Sequence, residues 1–415
     1  MRVALISCVY PPEPVVSAQT SFQVAQALWA QGHEVTVIIP FPNRPGGKLF
    51  PGFKRRLWQC QAKDGISLVR CFSTLSTRPS IFSRLVENIS FGLSSACALA
   101  VIKRPQIIYA NTWPLFATGL VILIARLRRI PVVISVQDLY PESLISQKRL
   151  PAHHWVYRLL LRLDRWIAQS SRAVIVISES FANLYRSDRG VKPDRLYLIP
   201  NWVKVDTLQE FPRQNFIRAS KSIPDAGFLF VYGGNISTAA GLETVIEAFR
   251  LLAEKETNEL YFLIAGDGPR LPACRQAAQR ITKPIIHFHT PWHVEETSIL
   301  LSAADVLVLP TYGQQSLVST PSKLITYMLA GRPVLALAYP ESDIAHIITQ
   351  TDCGWVVIPD RPDLLAARIH EIHQLPHDEL LRRGQAGRVY ALAHATDQVC
   401  LPAVIDVLNK VAVVQ

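Results

Sequence analysis

The chain has 415 residues, of which 49% are hydrophobic and 18% are charged. This composition excludes a disordered chain and predicts two or three globular domains, since a domain usually has about 100–200 residues. The seven cysteines include no C-x-x-C pair. Their scatter argues against a disulfide framework or a cysteine zinc site and favours a reducing compartment. No run of about 18 uncharged apolar residues occurs, so we expect no spanning helix.

The charge is unevenly distributed. Residues 1–200 hold 25 Lys and Arg against 10 Asp and Glu, a net charge of +15, whereas the remainder holds 18 against 22. Such asymmetry suggests that the first half faces an anionic partner, either a membrane surface or a nucleic acid. The alternative is that the basic residues are simply solvated.

Short apolar runs alternate with helical patterns in both halves. Six strands are predicted in the first half, within residues 2–10, 34–41, 106–112, 131–138, 173–180 and 196–201. Six more are predicted in the second half, within residues 227–234, 260–268, 285–290, 305–311, 332–338 and 353–359. The clearest helices are predicted over Gln19–Gln31, Phe82–Lys103, His154–Ala168, Gly241–Ala253, Arg270–Arg280, Val294–Ala303, Pro321–Ala330 and Pro362–His373.

Strands that alternate with helices predict a parallel sheet covered on both faces. The pattern fades at Ile199–Asn215, so we expect domains over 1–200 and 201–390, and a C-terminal helix over 391–415 that crosses back to the first domain. The predicted fold is therefore two doubly wound α/β domains that face a central cleft. Ligands of such sheets bind beyond the carboxyl ends of the strands.

Glycines follow two predicted strands of the second domain. Gly233 and Gly234 precede a loop and a helix that begins near Gly241, an arrangement that lets backbone approach an anion. Neither a Walker A loop nor G-x-G-x-x-G is present, and a plain tight turn is at least as good an explanation. Gly266 opens a Gly-Asp-Gly-Pro stretch, for which a structural turn is favoured over a ligand-proximal loop.

The strongest candidate is a helix start. Thr320 is expected to be the N-cap and Pro321 the first helical residue, which places Ser322 and Lys323 in the first turn. A cation is unfavourable there because the helix N-terminus is positive. A hydroxyl, free amides and an ammonium together form an oxyanion site of the phosphate kind. The alternative is an exposed lysine that points into water.

Other polar groups leave two interpretations open. His287, His289 and His293 could ligate a metal, but no carboxylate or cysteine joins them at a usual spacing. Asp138 and Glu142 follow a strand of the first domain, where a carboxylate could orient a substrate hydroxyl or, equally, cap a helix. Motifs of hydrolases and kinases do not occur.

These motifs, in this order, resemble a known family. The resemblance rests on "YPPEP", "ALWAQGHEVTVI", "QDLYPES", "SES", "IPNWVKVD", "GGNISTAAGLETVIEAF", "AGDGP", "SAADVLVLPT" and "PSKLITYMLAGRPVLA". The chain is similar to family 4 glycosyltransferases of the GT-B fold, close to the capsular and exopolysaccharide enzymes related to colanic-acid and fucosamine transferases. The family implies transfer of a hexosyl or N-acetylhexosaminyl group from a nucleotide-diphosphate donor, with retention and with neither a metal nor another cofactor.

The resemblance also implies roles for individual residues. Lys323 and Ser322 would contact the donor diphosphate, and Gly234 and Asn235 would approach the same phosphates. The segment Thr290–Trp292 would hold the base, so Trp292 is a donor-binding candidate, as are Gly266 and Thr326. Asp138 matches an acceptor-side aspartate and, with Lys323, is a catalytic candidate.

The chain departs from the family at several of these positions. The Arg and Lys that many members carry between Gly234 and Gly241 are absent, so Lys323 would bear more of the phosphate charge. The family's paired glutamates fall on Val318 and Thr326, the two N-terminal glycines on Val15 and Val16, and the usual acceptor-loop histidine on Gln137.

A basic helix over His153–Ser170 is a candidate for contact with an anionic membrane, although a core helix explains it equally well. We therefore predict a retaining glycosyltransferase that acts on a lipid-linked oligosaccharide or growing polysaccharide, peripheral at the cytoplasmic face of the membrane. The alternatives are a nucleotide-sugar epimerase and a non-catalytic sugar-nucleotide or glycan-binding scaffold. Nucleic-acid binding has little support, because no basic stripe with interleaved aromatics and no known module are apparent.

Overall fold

The computed structural model describes residues 1–44, 46–77, 80–111, 114–146, 150–151, 153–209, 211–253, 259–281, 283, 285–317 and 322–413. The chain forms two compact units. The first unit comprises Met1–Pro200 and Cys400–Gln415, and the second comprises Asn201–Val399.

The first unit is built on an eight-stranded sheet. Its strands are β1 (Arg2–Ile6), β2 (Glu34–Pro40), β3 (Trp58–Lys63), β4 (Ile66–Cys71), β5 (Ile107–Asn111), β6 (Val132–Val136), β7 (Ala173–Val176) and β8 (Leu196–Leu198). They lie in the order β3-β4-β2-β1-β5-β6-β7-β8, and only β3 pairs antiparallel to its neighbour. The helices of Met1–Pro200 are α1 (Val16–Ala30), α2 (Ile81–Val101), α3 (Leu115–Leu127), α4 (Glu142–Ser146), α5 (Trp155–Ser170) and α6 (Glu179–Ser187).

The second unit is built on a six-stranded, wholly parallel sheet. Its strands are β9 (Phe228–Gly233), β10 (Leu260–Ala265), β11 (Ile285–His289), β12 (Val306–Leu309), β13 (Val334–Leu337) and β14 (Gly354–Val357), in the order β11-β10-β9-β12-β13-β14. The remaining helices are α7 (Phe216–Ser220), α8 (Leu242–Ala253), α9 (Leu271–Ala278), α10 (Thr297–Ser302), α11 (Ser322–Leu329), α12 (Asp343–Thr351), α13 (Pro362–His373), α14 (His377–His394) and α15 (Asp397–Val413).

The central strands are buried on both faces, which explains why their sequences are continuous apolar runs rather than alternating ones. In β10 every residue from Leu260 to Ala265 is buried. Helices α8 and α13 pack together on one face of that sheet. On its other face, α11 packs beside α14. Apart from the antiparallel edge strand β3, the strands of both sheets are parallel and alternate with helices along the chain, as the sequence pattern predicts.

All twelve predicted strands are present. The sequence did not reveal the hairpin β3–β4, because β3 is polar and exposed along most of its length. The helix predicted over 391–415 is interrupted: α14 ends at His394 and α15 begins at Asp397. Val203 explains the break, since its N–H donates to the Ala395 carbonyl and its carbonyl accepts from the Asp397 N–H. That bridge takes Ala395 out of helical geometry.

Candidate active site

Three neighbouring strands of the second unit end at the same edge of the sheet. These strands, β9, β10 and β11, are parallel, and they end at Gly233, Ala265 and His289. Two of the loops that follow are joined by backbone hydrogen bonds: the Ile236 N–H donates to the Asp267 carbonyl over 2.8 Å, and the Arg270 N–H donates to the Ile236 carbonyl over 3.0 Å. The edge therefore presents one continuous backbone surface.

Gly266 is part of this surface because no side chain fits there. A β-carbon at this position would lie 1.9 Å from the Gly234 carbonyl oxygen, and its φ of +127° is unfavourable for other residues. The close approach of the two loops thus accounts for Gly266 without a ligand. It agrees with the structural turn that the sequence favours.

Lys323 lies against the same loops. It is the second residue of α11, in the first turn as predicted. Its Nζ donates to the Tyr232 hydroxyl over 2.8 Å and lies 4.5 Å from the centre of that ring. A β-carbon on Gly234 would come within 2.0 Å of Nζ. The ammonium therefore rests on the bare backbone of Gly234, where only glycine leaves room for it.

The Lys323 ammonium lacks an anionic partner in the described part of the chain, where no carboxylate lies within 4.0 Å of it. Burial lowers the pKa of Lys323 to about 8, because desolvation disfavours the charged form. A partly buried cation without a counter-ion, at a helix N-terminus, is unfavourable on two counts. An anion in contact with the ammonium would relieve both.

Two tyrosines fix the end of β9, and neither was predicted as a site residue. The Tyr232 hydroxyl donates to the Asn235 carbonyl over 2.7 Å while it accepts from Lys323. The Tyr327 hydroxyl accepts from the Gly233 N–H over 3.0 Å and donates to the Gly233 carbonyl over 3.1 Å. The loop that follows Gly233 is thereby held together with the lysine.

Of the remaining candidates on or near α11, only some lie within the described residues. Ser322 is the first residue of the helix, and the Thr326 hydroxyl donates to the Ser322 carbonyl over 3.3 Å. The N-cap Thr320, the first-turn Pro321 and Val318 lie outside the described residues. Asn235 is exposed beside the loop of Gly268.

The segment after β11 lies next to Gly233. The ring of Trp292 comes within 3.3 Å of a β-carbon built on Gly233, and its indole N–H is buried without a hydrogen-bond partner. The His289 ring contacts the Glu296 carboxylate at 3.0 Å, whereas His287 stacks on Tyr261. The histidines therefore do not converge, and within the described ranges no three His, Cys, Asp or Glu side chains form a metal-binding group.

The two acidic candidates of the first unit differ in their surroundings. Asp138 is exposed, and among the described residues its carboxylate accepts no hydrogen bond, so it does not cap a helix. Glu142 instead accepts two hydrogen bonds from the Arg189 guanidinium, at 2.7 and 2.9 Å. Arg189 also binds the buried Asp164, so Glu142 has a structural role.

Two doubly wound sheets in tandem, with a lysine and glycine loops at the strand ends of the second, define a GT-B glycosyltransferase. Residues 17–202 match the model of the glycosyl transferase 4-like domain, and residues 227–374 match that of glycosyl transferases group 1. The chain belongs to the family 4-like glycosyltransferases of the GT-B fold.

Two relatives illustrate the similarity. WcaI of Escherichia coli (strain K12), assigned to colanic acid biosynthesis as a glycosyl transferase, is 26% identical over 94% of this chain and 96% of its own. WbjE of Pseudomonas aeruginosa, named as a glycosyltransferase, is 28% identical over 59% of this chain and 60% of its own.

Solved structures share the fold over the whole chain. Sucrose-phosphate synthase from Thermosynechococcus elongatus superposes with a TM-score of 0.76 at 18% identity and covers 100% of both chains. HepE from Anabaena, in complex with UDP-glucose, gives a TM-score of 0.67 at 15% identity over 99% of this chain and 100% of its own. At these identities the likeness establishes the fold alone.

Proposed function

We propose that this glycosyltransferase transfers a hexosyl or N-acetylhexosaminyl group, with retention, from a nucleotide-diphosphate donor to a lipid-linked or growing polysaccharide acceptor. The observation that carries the proposal is the Lys323 ammonium, which lies on Gly234, hydrogen-bonds to Tyr232 and lacks a carboxylate partner in the described part of the chain. A diphosphate fits this site because it supplies the missing negative charge. The complexes of HepE with UDP-glucose and UDP support this donor class.

Lys323 would act on the leaving group. Negative charge on the diphosphate grows as the bond to the sugar breaks, so a fixed ammonium stabilises the transition state more than the ground state. Tyr232 holds that ammonium in place before the donor arrives. Asp138, which is exposed and accepts no hydrogen bond among the described residues, would orient an acceptor hydroxyl.

Contact with an anionic membrane is supported by the outer face of α5. Trp155 is 68% exposed and Leu159 is 52% exposed, although Leu160 and Ile167 on the same helix are buried. Arg158 and Arg162 are exposed on the same face of the helix as these two apolar side chains. The helix thus packs in the core on one side and presents mixed apolar and basic groups on the other, as membrane-surface helices do.

Helix α3, which packs beside α5, carries the exposed side chains Leu123, Arg126 and Leu127, and Arg129 is exposed just after its end. Among the described helices, none is both long and apolar enough to cross a bilayer. We propose that the protein is peripheral at the cytoplasmic face of the membrane, where its acceptor is held. The relation to WcaI supports a role in exopolysaccharide biosynthesis.

A panel of UDP-, GDP- and dTDP-sugars tests the donor class. The cognate donor at 100 times its dissociation constant should stabilise the protein by about 2.7 kcal/mol. With membranes present, the same donor should release nucleoside diphosphate and label a lipid-linked product. Donor binding without turnover across acceptors would favour a scaffold, and a free epimerised sugar nucleotide would favour an epimerase.

A further inference from the structure

A cavity of about 230 Å³ opens in the first unit between the loop after β1, helix α1 and the hairpin β3–β4. Aromatic side chains form much of its wall: Tyr10, Phe22 and Phe53. Its polar lining consists of Gln61, Lys63, Asp64 and Arg70, and prolines and aliphatic side chains form the rest. None of these residues belongs to the site described above.

Arg70 is the unusual member of this lining. Arg70 is only 4% exposed, yet its Nε–H has no hydrogen-bond partner. Its two terminal nitrogens make only long contacts, at 3.4 Å, to the carbonyls of Pro40 and Pro11. A buried guanidinium normally satisfies its donors, so this one retains capacity for a further acceptor.

The guanidinium also lacks a contacting anion. In the described ranges no carboxylate lies within 4.0 Å of Arg70. The neighbouring Glu13 acts on Arg70 only through space, because its carboxylate accepts the backbone N–H groups of Tyr10, Asn43 and Arg44. Phe53 covers one face of the guanidinium, 4.9 Å from the ring centre, so the edge of the fork is left to bind.

The composition of the cavity indicates its ligand. Aromatic faces pack against the C–H surface of a sugar ring, while Gln61 and Asp64 offer partners for hydroxyls. A guanidinium fork matches the two oxygens of a carboxylate or phosphate, and Lys63 adds a second positive charge at the rim. A neutral sugar would offer the unpartnered Nε–H of Arg70 no charged acceptor.

We propose that this cavity is a subsite for an acidic sugar residue of the acceptor glycan, whose carboxylate or phosphate binds Arg70. The inference rests on the proposed function, since it assigns an acidic glycan as the acceptor class. It deepens that function without involving the second unit, where Lys323 lies.

Nuclear magnetic resonance of the full chain, with arginine side chains labelled with nitrogen-15, tests this subsite directly. Glucuronate and glucose 6-phosphate are the two acidic probes, and glucose is the neutral control. We expect both acids, or one of them, to shift the Arg70 Nε–H resonance, whereas glucose does not. A shift of the Arg70 Nε–H resonance by glucuronate identifies the bound anion as a carboxylate, and a shift by glucose 6-phosphate identifies it as a phosphate.

Variants separate the subsite from a general effect on folding. Lys63→Met, on the exposed edge strand β3, should weaken binding of the acidic probe several-fold without unfolding the protein. Arg70→Lys keeps a buried cation but loses the guanidinium fork. This variant should bind the acidic probe about tenfold more weakly or worse, the loss expected for hydrogen bonds to a charged group. UDP-sugar binding, measured on the same samples, should be unchanged.

The proposal is overturned if neither acid shifts the Arg70 resonance, or if Lys63→Met and Arg70→Lys, both folded, bind the acid as the parent protein does. Equal shifts with glucose would also overturn it, because Arg70 would then not select an anion. Failure of the parent protein to bind any sugar nucleotide would instead contradict the proposed function, and the Arg70 result would identify an acid-binding site without a transferase reaction.

Discussion

The Lys323 ammonium and the Tyr232 hydroxyl lie 2.8 Å apart, although 91 residues separate them in the chain. The tyrosine accepts from the lysine and donates to the Asn235 carbonyl, so it connects the first turn of α11 to the loop after β9. Its ring also lies beneath the ammonium, at 4.5 Å. This pair fixes the position of one positive charge before any ligand is bound.

Removal of that charge should separate catalysis from stability. In Lys323→Ala, turnover should fall by about 10²–10³ and donor affinity by less, because the leaving diphosphate gains charge in the transition state. The unliganded protein should be at least as stable at pH 7, since an unfavourable cation is gone from a helix start. Steady-state kinetics and thermal unfolding measure the two effects. Lys283→Ala, which removes an exposed lysine of the same unit, should change neither.

Donor binding should depend on pH through the same residue. Below pH 8 Lys323 is protonated, and as the pH rises through its pKa of about 8 the free protein loses the charge that binds the diphosphate. Affinity for a nucleoside diphosphate, measured by calorimetry from about pH 7 to about pH 9.5, should therefore be flat and then decline. Lys323→Arg should bind with an affinity that stays flat, because guanidinium remains protonated. An identical decline in the arginine variant would exclude Lys323 as the titrating group.

Tyr232→Phe tests whether the hydroxyl positions the lysine. The ring and its contact with the ammonium remain, but the acceptor for Nζ and the donor to the Asn235 carbonyl are lost. Loss of an acceptor disfavours the ammonium, so the decline in donor affinity should begin at a lower pH than in the parent. Tyr261→Phe, a change in the neighbouring strand β10, is the matched control. A purely structural tyrosine would lower the melting temperature and leave the pH profile in place.

Gly234 should be irreplaceable both because its φ of +150° disfavours other residues and because it leaves room for the Lys323 ammonium. In Gly234→Ala the new methyl group would overlap Nζ of Lys323, so the ammonium must leave its position and donor affinity should fall at least tenfold. Gly32→Ala is the control, since Gly32 also has a positive φ of +80° but nothing lies within 4 Å of a β-carbon there. Isothermal titration of both variants gives the comparison. If Gly234→Ala binds the donor as tightly as Gly32→Ala does, Lys323 does not need its contact with Gly234 to bind the donor.

Membrane contact should reside on α5. The parent protein should sediment with vesicles that contain anionic lipid, and less so as salt rises, because the screening length shortens to about 8 Å near physiological ionic strength. Arg158→Gln with Arg162→Gln should weaken this binding, and Trp155→Ser should weaken it further. Arg280→Gln with Lys283→Gln removes the same charge from exposed positions of the second unit and should have no effect. Equal sedimentation with anionic and neutral vesicles would contradict the proposed membrane-binding surface.

The sequence allowed the sheets and the position of Lys323 to be predicted, because both depend on local pattern. Buried parallel strands such as β10 are apolar runs bounded by turn residues. The helix start that contains Lys323 is recognisable from the local sequence Thr-Pro-Ser-Lys alone. Tyr232 could not be selected, because a tyrosine within an apolar strand resembles any other core residue. Its importance depends on where α11 lies, which only the fold decides.

Glu142 shows the opposite limit. Its place after a strand made it a candidate for chemistry, yet its partner Arg189 comes 47 residues later and binds it through two hydrogen bonds. No local signal distinguishes a carboxylate that meets a substrate from one that meets a distant arginine. Arg70 was not predicted as a binding residue for a similar reason. The local sequence around an arginine in an apolar strand does not show whether a cavity lies beside it.

The division of the chain into units has a consequence for biosynthesis. Cys400–Gln415 belongs to the first unit, whose other residues, Met1–Pro200, are synthesised before Asn201–Val399. Domains generally fold as they emerge, N-terminal first. Here the first unit must wait until Asn201–Val399 has been synthesised before it gains Cys400–Gln415, whereas Asn201–Val399 emerges as one uninterrupted stretch. A fragment cut at Pro200 would therefore lack part of its own fold, and expression of the two units as separate polypeptides requires that this terminal segment be joined to the first.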